Sequence, residues 1–172
     1  PSSFMLVAAM NPCPCGFYNH PDIECVCGPG IVQKYLNRIS GPLMDRIDLH
    51  VEVTPVPFQE LSRMESGSGS GEIRERVISA REMQQGRYGE TGIHCNAQMR
   101  PAHLKEFCQL DSVCHALLNK AMERLNLSAR AYDRILKVTR TIADLEGEEK
   151  ILPQHLAEAI NYRSLDHERW GE

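Results

Sequence analysis

The sequence predicts a mainly α chain in two parts, a short α/β piece of two strands and one helix followed by an all-helical domain. Three observations carry that reading. Residues 47–53 alternate apolar and polar side chains with a period of two, the pattern of a strand with one buried face. Ser66 to Gly71 reads Ser-Gly-Ser-Gly-Ser-Gly, the composition of a flexible linker. Beyond it, apolar residues recur at helical spacing between residues that start or stop helices. The expected parts are therefore 1–65, a linker at 66–71, and a helical domain over 72–172.

The first part opens on Phe4 to Ala9, apolar on both faces and ending at Asn11-Pro12, which reads as a buried strand. Ligands of open α/β sheets sit at such strand ends, so Asn11 is a candidate for contacting a phosphate or a water, or else simply starts a turn. The sequence moves into this apolar run straight from Pro1 and so reads as beginning partway through a fold. Two cysteine pairs of one design follow, Cys13-Pro-Cys15-Gly and Cys25-Val-Cys27-Gly. Four thiolates can close a tetrahedral structural zinc site, although one residue between the ligands of a pair is fewer than usual. His20, between the pairs, is an alternative ligand or a solvated side chain. Ile31 to Ile39 has helical spacing and is expected to end at Ser40-Gly41-Pro42.

The second strand comes next, with Ile47, Leu49, Val51 and Val53 on one face and Asp48, His50, Glu52 and Thr54 on the other. Arg46 stands at its mouth. It is either a positioned cation or a surface arginine paired with Asp45 or Asp48. Pro55 and Pro57 close this region. Residues 1–65 hold four Lys+Arg and seven Asp+Glu and too few elements for a core of their own.

After the linker, Ile73, Val77 and Ala80 form the stripe of a first helix, and Arg87 to Met99 is punctuated as a loop. Pro101 opens a short helix through Cys108. Asp111 or Ser112 caps the next, whose apolar face is Val113, Leu117, Leu118, Ala121 and Leu125. Ser128 caps a helix burying Tyr132, Ile135, Leu136, Thr139, Ile142 and Ala143, which Gly147 ends. Pro153 starts a last helix with Leu156, Ala159 and Ile160. The whole is a bundle of four or five helices in which Cys108 and Cys114 pack as small apolar residues. Arg130, Arg134 and Lys137 form a basic ridge at i, i+4 and i+7, with Arg140 nearby. Arg130 lies in a first helical turn, where the dipole and a guanidinium both favour an anion.

Composition limits the function. Hydrophobic content of 42% and charged content of 24% over 172 residues fit an ordinary globular protein. A net charge of -4 excludes a general polyanion binder, so any nucleic-acid contact must be local. No apolar run approaches the roughly 18 residues of a membrane span, and no signal peptide is visible. Seven cysteines, an odd count with no secretory signal, point to a reducing, cytoplasmic setting.

Several long motifs carry a resemblance. Met10 to Gly16, Ser40 to Leu49, Leu127 to Leu136, Thr141 to Gly147 and His155 to Ile160 resemble, in order, the C-terminal half of ComM-like, magnesium-chelatase-type AAA+ ATPases. More weakly, they resemble magnesium chelatase ATPase subunits and minichromosome-maintenance helicases. The resemblance implies that residues 1–65 are the end of an AAA+ α/β core and 72–172 its helical lid. It implies a polar sensor at Asn11, an arginine finger at Arg46 reaching the ATP of a neighbouring subunit, and a second sensor arginine at Arg130 on the γ-phosphate. It also implies ATP and Mg2+ as cofactors, an upstream Walker A/B part of the same protein, a homo-hexameric ring, and movement on DNA in branch migration during bacterial natural transformation. The four-cysteine loop Cys13, Cys15, Cys25 and Cys27 resembles the family's pattern too.

One departure limits activity. These 172 residues contain no Gly-x-x-x-x-Gly-Lys-Ser/Thr segment and no apolar strand ending in Asp-Glu. The chain alone is therefore expected to hydrolyse no ATP. Two other readings stay open, a chelatase subunit that powers metal insertion into a porphyrin and a non-catalytic zinc or nucleic-acid adaptor.

Overall fold

The computed structural model describes residues 4–56 and 67–163, and within them every regular element is helical. The seven α-helices are α1 (Pro29–Leu36), α2 (Gly41–Met44), α3 (Ser70–Tyr88), α4 (Pro101–Phe107), α5 (Ser112–Arg124), α6 (Ala129–Leu145) and α7 (Pro153–Asn161), with one 3-10 turn at Asn96–Gln98. No helix among the described residues is long and apolar enough to cross a membrane. Pro57, Ser66 and Trp170 lie outside the described residues.

α6 is the centre of the domain, packed against α3, α4, α7 and the 3-10 turn, while α5 packs on α7. Its sequence explains that position. Ala131, Ile135, Leu136, Thr139, Ile142 and Ala143 recur at three- and four-residue intervals and are all buried. Ser128 Oγ accepts from the Ala131 N–H at 3.2 Å, fixing the start. At the other end Gly147 has φ +77°, its N–H donates to the Asp144 carbonyl, and the Glu148 N–H donates to the Ala143 carbonyl. That pair of bonds is a Schellman stop, and it needs a left-handed residue where Gly147 stands.

α5 is capped by Asp111, whose carboxylate accepts from the Cys114 N–H at 2.7 Å. α4 and α7 share a start the sequence repeats, Pro101-Ala-His103-Leu104 and Pro153-Gln-His155-Leu156. In each, histidine Nδ1 accepts the backbone N–H of the residue before proline, Arg100 at 3.1 Å and Leu152 at 3.0 Å, and the following leucine is buried. The histidine performs the reciprocal half of a capping box. Leu104, Leu118, Ile135, Leu136, Ile151 and Leu156 sit in the core, with Cys108 and Cys114 among them. Burial pushes those two thiols up to about 12 and about 11, so they behave as small apolar groups.

A charged network is buried at the same level. Asp144 accepts from Gln84 (3.1 Å), Asn96 (2.8 Å), Arg140 Nε (3.0 Å) and Arg87 (2.9 and 2.5 Å). Arg140 Nη1 and Nη2 go on to the Glu149 and Glu148 carbonyls. Arg140 is only 2% exposed, so it is no part of the basic ridge; ten residues on from Arg130, it turns about 80° away on the helix.

Three expectations are corrected. Neither strand forms among the described residues: Phe4, Met5, Leu6 and Val7 are exposed in irregular chain, as are Leu49, Val51 and Val53. Alternation specifies two faces, but a strand also needs a neighbour for its backbone groups, and no described segment pairs with either stretch. Asn11 consequently ends no strand. α3 begins at Ser70, inside the expected linker, and buries Ala80, Gln84 and Tyr88, while Ile73 and Val77 stay about half exposed.

Candidate functional site

Arg46 is placed by the single turn α2. Met44 is buried beneath it, the Arg46 N–H donates to the Leu43 carbonyl at 2.9 Å, and the guanidinium Nη1 reaches back to the Pro42 carbonyl at 2.5 Å. The chain that follows is tied to the end of α7. Arg163 Nη1 donates to the Ile47 carbonyl, Arg163 Nη2 lies 4.0 Å from Asp45, and the His50 N–H donates to the Tyr162 carbonyl at 2.9 Å. Arg163 is buried, so this tie is shielded from water.

That clamp sets Arg46 against α6. A cleft of about 320 Å³ is lined by Asp45, Arg46, Arg130, Asp133, Arg134 and Lys137. On α6 the four lining residues fall at i, i+3, i+4 and i+7, one face of a helix. Arg130 and Arg46 are both exposed to the cleft side. Arg134 Nη1 donates to the Asp48 carboxylate, and Lys137 Nζ donates to the Ala97 carbonyl at 2.9 Å. Burial, with help from Arg134, pulls the Lys137 ammonium below its ordinary value. Four cations thus face two carboxylates in one cleft of an acidic chain, a local positive field suited to an anion of phosphate type.

The structure brings Arg46 and Arg130 together but not Asn11, which is exposed on the cysteine loop with its Nδ2 near Gly16. Asp45 and Asp48, which the sequence offered only as ion partners of Arg46, instead face Arg163 and Arg134, and Asp133, not singled out by the sequence reading, joins them in the electrostatics of the cleft. Asp133 stands three residues past Arg130 on the same face, a spacing from which it could have been read. A second cleft of about 380 Å³, lined by Met83, Gly86, Arg87 and Glu149, offers one guanidinium already committed to Asp144.

The four expected ligands do converge. Cys13, Cys15, Cys25 and Cys27 have sulfurs within 4.8 Å of one another, with Cys13–Cys15 at 3.3 Å, Cys15–Cys25 at 3.5 Å and Cys13–Cys25 at 3.7 Å. A backbone hydrogen bond at Phe17 draws the Cys15 thiol down to about 6. At Cys25 a backbone bond from Cys27 acts downward, but burial and the neighbouring sulfurs outweigh it and push the thiol up to about 12. His20 is outside the cluster, since its Nδ1 accepts the Asp22 and Ile23 N–H groups at 3.1 Å.

Comparison with known proteins shows the family. The family model for the C-terminal part of magnesium chelatase subunit ChlI matches residues 67–163, and the model for magnesium chelatase subunit ChlI matches residues 1–61. The chain is 43% identical to competence protein ComM of Haemophilus influenzae over 96% of its own length and 31% of that protein. It is 41% identical to the uncharacterized protein YifB of Escherichia coli over 96% of the chain and 32% of the relative. An uncharacterized protein of Mycobacterium tuberculosis is 33% identical over 98% of the chain and 33% of its own length. The chain therefore spans about a third of the length of the curated relatives it matches. With residues 1–61 and 67–163 matched in order, the chain belongs to the magnesium chelatase ChlI family, within which it is ComM- and YifB-like.

Proposed function

We propose that the cleft between the α2 turn and α6 grips the phosphates of a nucleotide bound elsewhere in an AAA+ assembly, and that the chain serves an ATP-driven motor acting on DNA. One observation carries this reading. Arg46 and Arg130, given their roles independently by resemblance, line the same cleft, with Arg134 and Lys137 beside them. Guanidinium groups suit this task, because each presents paired N–H donors to phosphate oxygens and stays charged at any working pH.

The residues present fit only part of a nucleotide site. Arg46, Arg130, Arg134 and Lys137 can hold phosphate oxygens. Within these 172 residues there is no glycine-lysine phosphate cradle and no apolar strand ending in Asp-Glu to hold Mg2+. Bound Mg2+ and ATP would supply the reacting phosphoryl group and the neutralising dication. This chain supplies positioned positive charge from one side. Arg46 then acts as an arginine finger on a neighbouring subunit's nucleotide, and Arg130 as the second sensor. Asn11 keeps the role of polar sensor on resemblance alone. We further propose a homo-hexameric ring, as the resemblance implies, and a Walker A/B part upstream in the same protein. The likeness to a competence protein supports a role in natural transformation, and the resemblance adds DNA branch migration as its work. Seven free cysteines support a cytoplasmic location.

The test uses the full-length protein. Arg46→Ala should lower ATP turnover by roughly 10³-fold or more, while fluorescent-nucleotide titration gives an unchanged Kd. Equal loss of binding and turnover would overturn a finger that acts on the transition state. A second reading, a chelatase subunit serving metal insertion into a porphyrin, is favoured by the family description itself. Stimulation of the ATPase by DNA separates the two, since the motor requires it and the chelatase does not.

A further inference from the structure

Residues 11–39 form a unit whose core is made of sulfur. The hydrophobic cluster there consists of Cys13, Val32 and Leu36, with Cys15, Tyr18, Cys25, Cys27 and Tyr35 packed around them, so half its side chains are the four cysteines. A unit this small does not ordinarily hold itself together by apolar burial; below about 40 residues a metal, disulfides or oligomerisation usually makes up the deficit. Disulfides are not the answer here, because all four cysteines are free and the sulfurs of Cys13, Cys15 and Cys25 stand 3.3–3.7 Å apart, far beyond a bond.

We propose that Cys13, Cys15, Cys25 and Cys27 hold one structural Zn2+ and that this ion is the folding core of residues 11–39. Zn–S bonds of about 2.3 Å place the corners of a tetrahedron about 3.8 Å apart, close to the observed sulfur spacings. The one-residue gap that looked short for zinc has a geometric answer. In extended chain residues i and i+2 share a side, and in the first pair a tight turn brings the two cysteines together instead. Pro14 and Val26 are exposed, Val26 at 85%, while the cysteines flanking them turn inward. Gly16, at φ +86°, gives the first pair its turn, with its N–H on the Cys13 carbonyl at 3.0 Å. Gly28 has another job, as the N-cap of α1, so the second pair runs directly into the helix whose Val32 and Leu36 pack on Cys13. The ion thus joins the loop to α1 at one point. Four thiolates leave no open position for water, and an all-sulfur tetrahedron selects Zn2+ or iron over hard dications. The site is structural, and it stands apart from the cleft at Arg46.

The chain purified without chelator should carry one zinc per molecule by elemental analysis. Cys13→Ser and Cys25→Ser should each lose it, and Cys95→Ser should keep it. Cobalt exchanged into the site should give the intense visible bands of a tetrathiolate. Hydrogen exchange after chelation should show residues 11–39 losing protection while α3 to α7 keep theirs. A folded, metal-free chain whose residues 11–39 are already protected would overturn the proposal, as would iron in place of zinc or a Cys13–Cys25 disulfide by mass spectrometry. Global loss of protection on chelation would overturn the claim that the ion supports this unit alone.

Discussion

Arg134 on α6, one of the cations lining the cleft, donates to Asp48, a residue of the chain just past Arg46. Both partners are partly exposed, at 32% and 52% of their side-chain surface, so the pair contributes at most about 1 kcal/mol to folding. Its larger effect is on the field in the cleft, where Asp48 neutralises one guanidinium. Asp48→Asn should leave the unfolding midpoint nearly unchanged and tighten binding of inorganic tripolyphosphate by up to about five-fold at low salt. Calorimetric titration reads this directly. Weaker binding in the variant would mean that the pair orients Arg134 rather than masking it.

If Arg46 and Arg130 hold the same anion, their contributions must be coupled. Arg46→Ala, Arg130→Ala and the double variant, titrated with tripolyphosphate, form a cycle whose interaction energy should exceed about 0.5 kcal/mol. Strict additivity would show that the two arginines serve separate ligands, whatever the shape of the cleft.

The Asp144 network makes a prediction of a different size. Asp144 is completely buried and receives Arg87 and Arg140. Removing its charge leaves two guanidinium groups without their anion in the core. Asp144→Asn should therefore cost about 3–5 kcal/mol, the usual penalty for orphaning a buried charge. Urea unfolding followed by circular dichroism measures it. A loss below about 1 kcal/mol would place the network in the class of weak surface pairs.

The helical domain could be read from the sequence because its signals are local. Asp111, Ser128 and Gly147 mark ends through hydrogen bonds to residues three positions away, Pro101 and Pro153 mark starts through their fixed φ, and the stripe on α6 is visible without knowing what covers it. The strands could not be judged that way. Ile47 to Val53 has the right alternation, but pairing is a property of two segments, and a sequence pattern names only one. The cleft has the same character. Arg46 and Arg130 could each be named, yet their meeting depends on Arg163 and His50 clamping residues 45–50 to the end of α7, contacts between distant parts of the chain. Arg140 was misjudged for a related reason: a charge near a basic ridge reads as solvated unless the buried Asp144 four residues on is taken as its partner.

Gly147 tests whether a local stop signal has the weight assigned to it. Its φ of +77° lies in the left-handed region, and there is open space where a Cβ would stand. Steric collision with neighbours is thus excluded, and only backbone strain remains. Gly147→Ala should destabilise the chain by about 1–2 kcal/mol, and Gly147→Asn by less, since asparagine tolerates this conformation. Equal stability of all three would mean that the helix end rearranges at no cost.

Two carboxylates give the fold a defined response to acid. The Cys114 N–H holds the Asp111 carboxyl below its ordinary range, and side-chain hydrogen bonds from Gln154 and then His155 do the same for Glu146. A carboxylate that is depressed in the fold binds protons more readily in the unfolded chain. Acid therefore favours unfolding through these groups. Their contribution is complete above the unfolded values, near pH 4–5, and disappears as pH falls through the lower folded values. The thermal midpoint should accordingly hold steady from pH 7 to about pH 5 and decline below it. Asp111→Asn keeps a capping oxygen and removes only the charge, and Glu146→Gln keeps an acceptor for Gln154. Each should lower the midpoint at neutral pH and flatten the decline in acid. Variant curves running parallel to that of the parent chain would show that other groups control its acid sensitivity.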